Sequence, residues 1–186
     1  NHHSGIMYEF DTRPVVCRCG SRVFVKVLHD QWFLEYSDPA WKAEVTDHLK
    51  DMELVPPEVR AEFFRTVDWL KDWACSRRIG LGTKMPWDPE WLIEPLSDST
   101  VYMAYYTIAS RIKHIDPTLL TPAVFDYIFL GKETDDLPER ERLEGMRKEF
   151  LYWYPYDFRF SAKDLISNHL TFQLFHHCTI FPKECL

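Results

Sequence analysis

Four stretches of the chain hold side chains whose types and spacing could do chemistry. The first is Lys163-Asp164-Leu165-Ile166-Ser167-Asn168-His169. Its order reads as a strand handing over to a helix. Ligands of open α/β sheets bind at such corners, because loops and helix N-termini present donors there. From the residues alone, Asp164 is equally a first-turn helix charge and His169 a histidine at the edge of a core. The second stretch is Ser97-Asp98-Ser99-Thr100-Val101-Tyr102. On a helix start, Ser99 and Tyr102 are three apart and share a face. They could offer a hydroxyl and an aromatic wall to one small ligand, or serve as an N-cap and a core residue. The third is Cys17-Arg18-Cys19-Gly20. Structural zinc takes four ligands, commonly two close pairs, and here there is one pair. The fourth is His176-His177-Cys178, which reads as structural: neighbours on a helix point about 100° apart and do not chelate together.

These residues need elements to position them. Val15-Val16 and Val23 to Leu28 read as strands around a Cys19-Gly20-Ser21 turn, leading into Gln31-Trp32-Phe33-Leu34. Asp38 and Pro39 suit a cap and first helical position, with Trp41, Val45, His48 and Leu49 following at helical spacing. Pro56-Pro57 breaks the chain. A second helix with Val59, Phe63, Val67 and Leu70 on one face runs toward Trp73. Gly80 to Pro86 is a loop, and Trp91-Leu92-Ile93 a short strand. Ser97, Asp98 and Ser99 offer caps for a helix over Val101 to Ile112. Thr121-Pro122 opens another helix that Gly131 ends. Residues 133–142 are a solvated charged run, and Leu143 to Trp153 is helical. Phe158-Arg159-Phe160 reads as a short buried strand, turning through Ser161-Ala162-Lys163-Asp164 into a last helix.

The 186 residues are 46% hydrophobic and 16% aromatic, enough to build a core rather than a disordered chain. A net charge of −7 argues against a broad phosphate-binding face, though a local RNA contact stays open. The five cysteines are an odd number. With no signal peptide and no apolar run near the ~20 residues of a membrane span, the expected setting is a reducing intracellular one.

Three long stretches resemble leucyl-tRNA synthetases of the archaeal and eukaryotic cytosolic type. They are Trp73-Ala74-Cys75-Ser76-Arg77-Arg78 through Met85-Pro86-Trp87, Leu96-Ser97-Asp98-Ser99-Thr100-Val101-Tyr102 through Thr107, and Phe150 to Phe181. The last contains Tyr152-Trp153-Tyr154-Pro155, Lys163-Asp164-Leu165-Ile166 and Asn168-His169-Leu170-Thr171-Phe172. Asp30-Gln31-Trp32-Phe33 and Val124 to Phe129 also fit. The matches run in order over nearly the whole chain, which a lone short motif does not do.

The resemblance implies a class I ligase that uses ATP with Mg2+ to activate leucine and passes it to tRNA(Leu). It implies an α/β fold: the second half of a Rossmann-type nucleotide-binding domain with a zinc-ribbon-like β-hairpin connective segment and inserted helices. On that reading residues 1–37 are the connective segment, 38–90 a helical insertion returning to the core, and 91–186 the Rossmann half. Leu96, Ser99, Tyr102 and His169 would line the leucine or leucyl-adenylate pocket. Lys163 and Asp164 would meet the nucleotide, Asp164 accepting from a ribose hydroxyl. Zinc would find two ligands at Cys17 and Cys19, related enzymes keeping the other half of that site elsewhere. Arg77 and Arg78 could touch the tRNA acceptor end or be structural. The location would be cytoplasmic, with no membrane partner. The family's H-I-G-H and K-M-S-K-S strings do not occur here, so the chain reads as an interior piece, inactive alone. A non-catalytic paralogue that binds tRNA or protein is the alternative. Two positions depart from the family: Ala162 stands at a usual glycine and Pro95 where serine is more common.

Overall fold

The computed structural model describes residues 15–23 and 29–186, which fall into two compact units, 1–31 and 32–186. In the first, Val16 and Arg22 form an antiparallel bridge around a tight turn. The Cys17 amide donates to Ser21 O at 2.8 Å, and the Gly20 amide to Cys17 O at 2.8 Å. Gly20 takes φ +82°, a conformation that glycine enters without a Cβ clash. The expected turn is therefore present. Residues 24–28 of its second strand lie outside the described residues.

The second unit is mostly helical. Strand β1 (Phe33–Leu34) leads into helix α1 (Pro39–Asp51). Asp38 caps α1, its Oδ1 accepting from the Trp41 amide at 2.7 Å, and Pro39 holds the first helical position. Helix α2 (Val59–Trp69) turns Val59, Phe63 and Val67 inward. It stops at Trp69, short of the expected Trp73, because Trp73–Ala74 forms β2 against β1. Strands β3 (Ser76–Arg77), β4 (Lys84–Met85) and β5 (Asp88–Ile93) make an antiparallel sheet in the order β3-β5-β4. The expected strand at Trp91 to Ile93 is the end of β5.

A short helix α3 (Pro95–Asp98), a 3-10 turn (Ser99–Val101) and helix α4 (Tyr102–Ile112) follow. Ser97, Asp98 and Ser99 were expected to cap α4, and they do not. Pro95 already starts a helical turn, and the Ser99 hydroxyl donates back to Leu96 O at 3.1 Å. Helix α5 (Pro122–Phe125) widens into a π turn (Asp126–Leu130) and ends at Gly131, with φ +69°. Helix α6 (Arg140–Trp153) comes next. A 3-10 turn (Lys163–Leu165) and a π turn (Ile166–Leu170) open helix α7 (Thr171–Ile180).

Helix α7 organises the packing. Phe172 and Phe175, both fully buried, join Tyr36, Val45, Leu49, Phe63 and Val67. Just beyond α7, Phe181 joins a second cluster with Ile108, Ile128, Leu143 and Phe150. Burying each such side chain is worth roughly 1.5–3 kcal/mol, so α7 together with the residue that follows it ties the two clusters to one stretch of chain.

Two expectations need correction. Phe158 to Phe160 is not a buried strand; Phe158 is 78% and Phe160 87% exposed. All strand pairs among the described residues are antiparallel, so the architecture is a helical region with small antiparallel sheets. A parallel strand is held by neighbours in its sheet and by helices on both faces, and no described strand lies beside 158–160.

Candidate functional site

The Ser99–Val101 turn meets the π turn that opens α7. His169, 9% exposed, puts Nε2 at 3.4 Å from Ser99 O. A carbonyl accepts, so Nε2 carries the proton and Nδ1 its lone pair. Nδ1 is buried and has no partner. Burial, partly offset by the Ser99 carbonyl, holds the His169 imidazole below its usual range, so it is neutral near pH 7. The Tyr102 ring sits 6.2 Å from the His169 ring, and its hydroxyl accepts from Arg159 at 3.3 Å. Ser99, Tyr102 and His169 are thus brought together from segments about seventy residues apart. The imidazole reads the carbonyl of Ser99, not the hydroxyl. Leu96 does not join them; it packs half-buried against the cluster that contains Ile166 and Phe172.

Lys163 and Asp164 are exposed at the start of the last helical run. Asp164 O accepts from Asn168 Nδ2 at 3.0 Å, and Lys163 Nζ is 4.0 Å from a Glu58 carboxylate oxygen. Ala162 is extended, φ −88° and ψ 153°, so the backbone here asks for no positive φ and the missing glycine costs nothing in conformation.

From the other side, Glu94 holds the same turn. Its carboxylate accepts from Trp73 Nε1 at 2.6 Å, Arg77 at 2.6 Å and Ser97 Oγ at 3.1 Å. Arg77 also donates to Ala74 O and Ser76 O, which makes it a brace for the β2–β3 corner. Arg78 is exposed, its guanidinium 4.7 Å from the Trp91 ring centroid.

A cavity of about 480 Å³ lies next door, lined by Met103, Tyr106, Trp153, Tyr156, Phe158 and Arg159 among others. None of the sequence-derived pocket residues lines it. Arg159 links the two places through Tyr102. Sequence reasoning passed Arg159 over because two phenylalanines flank it and suggested a buried strand. It also missed what His176 and His177 touch. Their positions seven and eight residues after His169 place all three on one helical face, which was the available signal.

Cys17 and Cys19 are exposed free thiols. Hydrogen bonds with Ser21, and a further one with Cys17, lower the Cys19 thiol to about 7. Among the described residues no group of three or more His, Cys, Asp or Glu could hold a metal, so two of a structural zinc's four ligands are present. Among the same residues, no helix is long and apolar enough to cross a membrane.

No family model matches the chain. Curated relatives do. The chain is 56% identical over 185 residues to the leucine–tRNA ligase of Methanopyrus kandleri. It is 58% identical over 178 residues to that of Methanothermobacter thermautotrophicus, and 49% over 195 residues to that of Pyrococcus furiosus. Each match takes in 96% of this chain and 18–20% of the relative. The chain is therefore similar, across nearly its whole length, to one region spanning about a fifth of archaeal leucine–tRNA ligases.

Proposed function

We propose that this chain supplies the amino-acid pocket of a leucine–tRNA ligase, as an interior region following the editing insertion and preceding the K-M-S-K-S loop. The observation that carries the reading is the meeting of Ser99, Tyr102 and His169, at 3.4 Å for His169 to Ser99 O, within a segment so similar to these ligases. In the whole enzyme the leucine carboxylate attacks the α-phosphorus of ATP and pyrophosphate leaves. The terminal ribose of tRNA(Leu) then attacks the activated carbonyl and AMP leaves. Positioning and charge stabilisation do most of this work. A neutral His169 and the Tyr102 ring would wall the leucine side chain, and the exposed Asp164 would accept from the ATP ribose beside Lys163. Mg2+ would arrive with ATP on parts of the enzyme beyond these residues. Cys17 and Cys19 would give two of the four ligands of a structural zinc.

The finer fold reading is that residues 157–178 are one strand–turn–helix unit of a Rossmann sheet. Two neighbouring exposed phenylalanines, Phe158 and Phe160 with ring centroids 5.9 Å apart, support it as a strand whose partners lie elsewhere in the ligase. A cytoplasmic site of action goes with this function.

The test is leucine-dependent pyrophosphate exchange in the complete ligase with His169→Ala. The expected result is a leucine KM raised about tenfold or more with ATP KM nearly unchanged. Wild-type leucine kinetics in that variant would remove the pocket from this place. A complete wild-type protein without any exchange activity would favour the non-catalytic module instead.

A further inference from the structure

Thr100 is fully buried, and two histidines of α7 converge on it. His177 Nε2 lies 2.9 Å from Thr100 O, and His176 Nδ1 lies 2.6 Å from Thr100 Oγ1. Thr100 Oγ1 is also 3.2 Å from Ser97 O, to which it donates. The hydroxyl has one proton, so it must accept from His176 Nδ1–H. His176 Nε2 is then an acceptor, and it lies 2.9 Å from the hydroxyl of Tyr36. A single directed chain results: Tyr36 O–H to His176, His176 to Thr100, Thr100 to Ser97 O. It closes only with a neutral His176, since an imidazolium has no acceptor to offer Tyr36.

The site of this grip matters. A 3-10 turn between two helices leaves carbonyls outside both helical ladders, and buried ones need other partners. Here Ser99 O is met by His169 and Thr100 O by His177. Three imidazoles on one face of the last helical run therefore take two successive carbonyls and one hydroxyl of the turn that walls the candidate pocket. Aliphatic residues could fill the same space but would not fix the turn's rotation or its height on α7. Hydrogen bonds with fixed donors do both.

We propose that His176 and His177 are positioning residues of the leucine pocket, holding the Ser99–Tyr102 wall in register with His169 through Thr100. The proposal rests on the pocket reading given above. Neither histidine touches substrate; each acts through the turn. Burial lowers both imidazoles, to about 4, in keeping with the neutral forms the hydrogen bonds require.

The experiment uses the complete ligase and leucine-dependent pyrophosphate exchange. His177→Phe keeps a ring and removes the donor; His177→Gln keeps a donor near the Nε2 position. For His177→Phe the expected change is a leucine KM raised about tenfold, ATP KM within about twofold, and lower discrimination of leucine from isoleucine. His177→Gln should return leucine KM to within about threefold of wild type. If His177→Phe does not fold, Thr100→Val and Thr100→Ser test the His176 arm of the same grip, Val losing the His176 contact and Ser keeping it. Equal effects on leucine and ATP, an unchanged leucine KM, or no difference between Thr100→Val and Thr100→Ser overturns the proposal. The control is His169→Ala. If that variant leaves leucine KM unchanged, the pocket reading itself has failed. If it responds and His177→Phe does not, only the positioning role falls.

Discussion

The His169 imidazole donates toward the Ser99 carbonyl, 3.4 Å away, while the Ser99 hydroxyl turns back to Leu96 O at 3.1 Å. The serine side chain is thus spent locally and its backbone faces the site. Ser99→Ala should accordingly change leucine KM by less than about threefold, far less than His169→Ala, because it removes only one net hydrogen bond at a part-buried position. Steady-state exchange at varied leucine separates the two. A Ser99→Ala defect as large as that of His169→Ala would make the hydroxyl a direct ligand contact.

Asp164 is exposed, and the contact its backbone carbonyl makes, accepting from Asn168 Nδ2, does not need the carboxylate. Asp164→Asn should leave stability within about 0.5 kcal/mol of wild type. The nucleotide reading then predicts an ATP KM raised roughly fivefold with leucine KM unchanged, since a carboxylate accepts from a hydroxyl more strongly than an amide does. Unaltered ATP kinetics would return Asp164 to a plain surface charge.

How much of this was legible follows from where the information lies. Asp38 before Pro39 announced α1, because cap chemistry and a fixed proline φ are local. The apolar spacing of Val59, Phe63 and Val67 announced α2 for the same reason. Ser97 to Ser99 misled, since their cap chemistry competed with a proline at 95 that starts a turn four residues earlier. Phe158 to Phe160 misled because alternation with aromatics signals a strand only if partners exist. The contact of His176 and His177 with Thr100 spans more than seventy residues; the spacing after His169 put the histidines on one face, but no local pattern names the turn they meet. The resemblance to a family pointed to Ser99, Tyr102 and His169 as candidates; the structure shows which atoms they present to one another.

Glu94 joins the small sheet to the helical turn at Ser97, just before the candidate pocket. Its carboxylate takes three donors while its side chain is 13% exposed. Glu94→Ala strands Trp73 Nε1 and Arg77 and should cost about 2–3 kcal/mol. Denaturant midpoints of variant and wild type measure it. Glu94→Gln keeps the acceptor oxygen and should cost less than the alanine; equal losses would mean packing, not the donors, is what counts there.

Acid should loosen the grip of α7. The folded protein holds His176 and His177 near 4, below the ordinary 6.5, because burial disfavours the imidazolium. The groups facing them include His48 on α1, His169, Arg159, Tyr154 and Tyr156, none of them an anion in this range, with Tyr36 and Thr100 as neutral partners. The unfolded chain takes up protons below pH 6.5 and the folded one does not. The stabilisation is therefore complete above pH 6.5 and is lost as pH falls toward 4, by up to about 3 kcal/mol per histidine. Melting temperatures from pH 7.5 down to 4.5 should fall more steeply for wild type than for His176→Gln/His177→Gln. Parallel curves would show that acid acts elsewhere.

The exposed phenylalanines give the sharpest test of the fold reading. Phe158 and Phe160 stand on the surface of this chain at 78% and 87% exposure. Truncating a side chain that is already in water removes little, so Phe160→Ser should shift the stability of the 186-residue chain by less than about 0.5 kcal/mol. If these residues form a Rossmann strand in the complete ligase, neighbouring strands and a covering helix enclose one or both rings. The same substitution there should cost about 3 kcal/mol, the loss expected when a buried aromatic is cut back. Thermal unfolding of both proteins with and without the substitution gives the comparison. A small shift in both means the segment never enters a sheet, and the helical region with antiparallel ribbons is then the whole of its architecture.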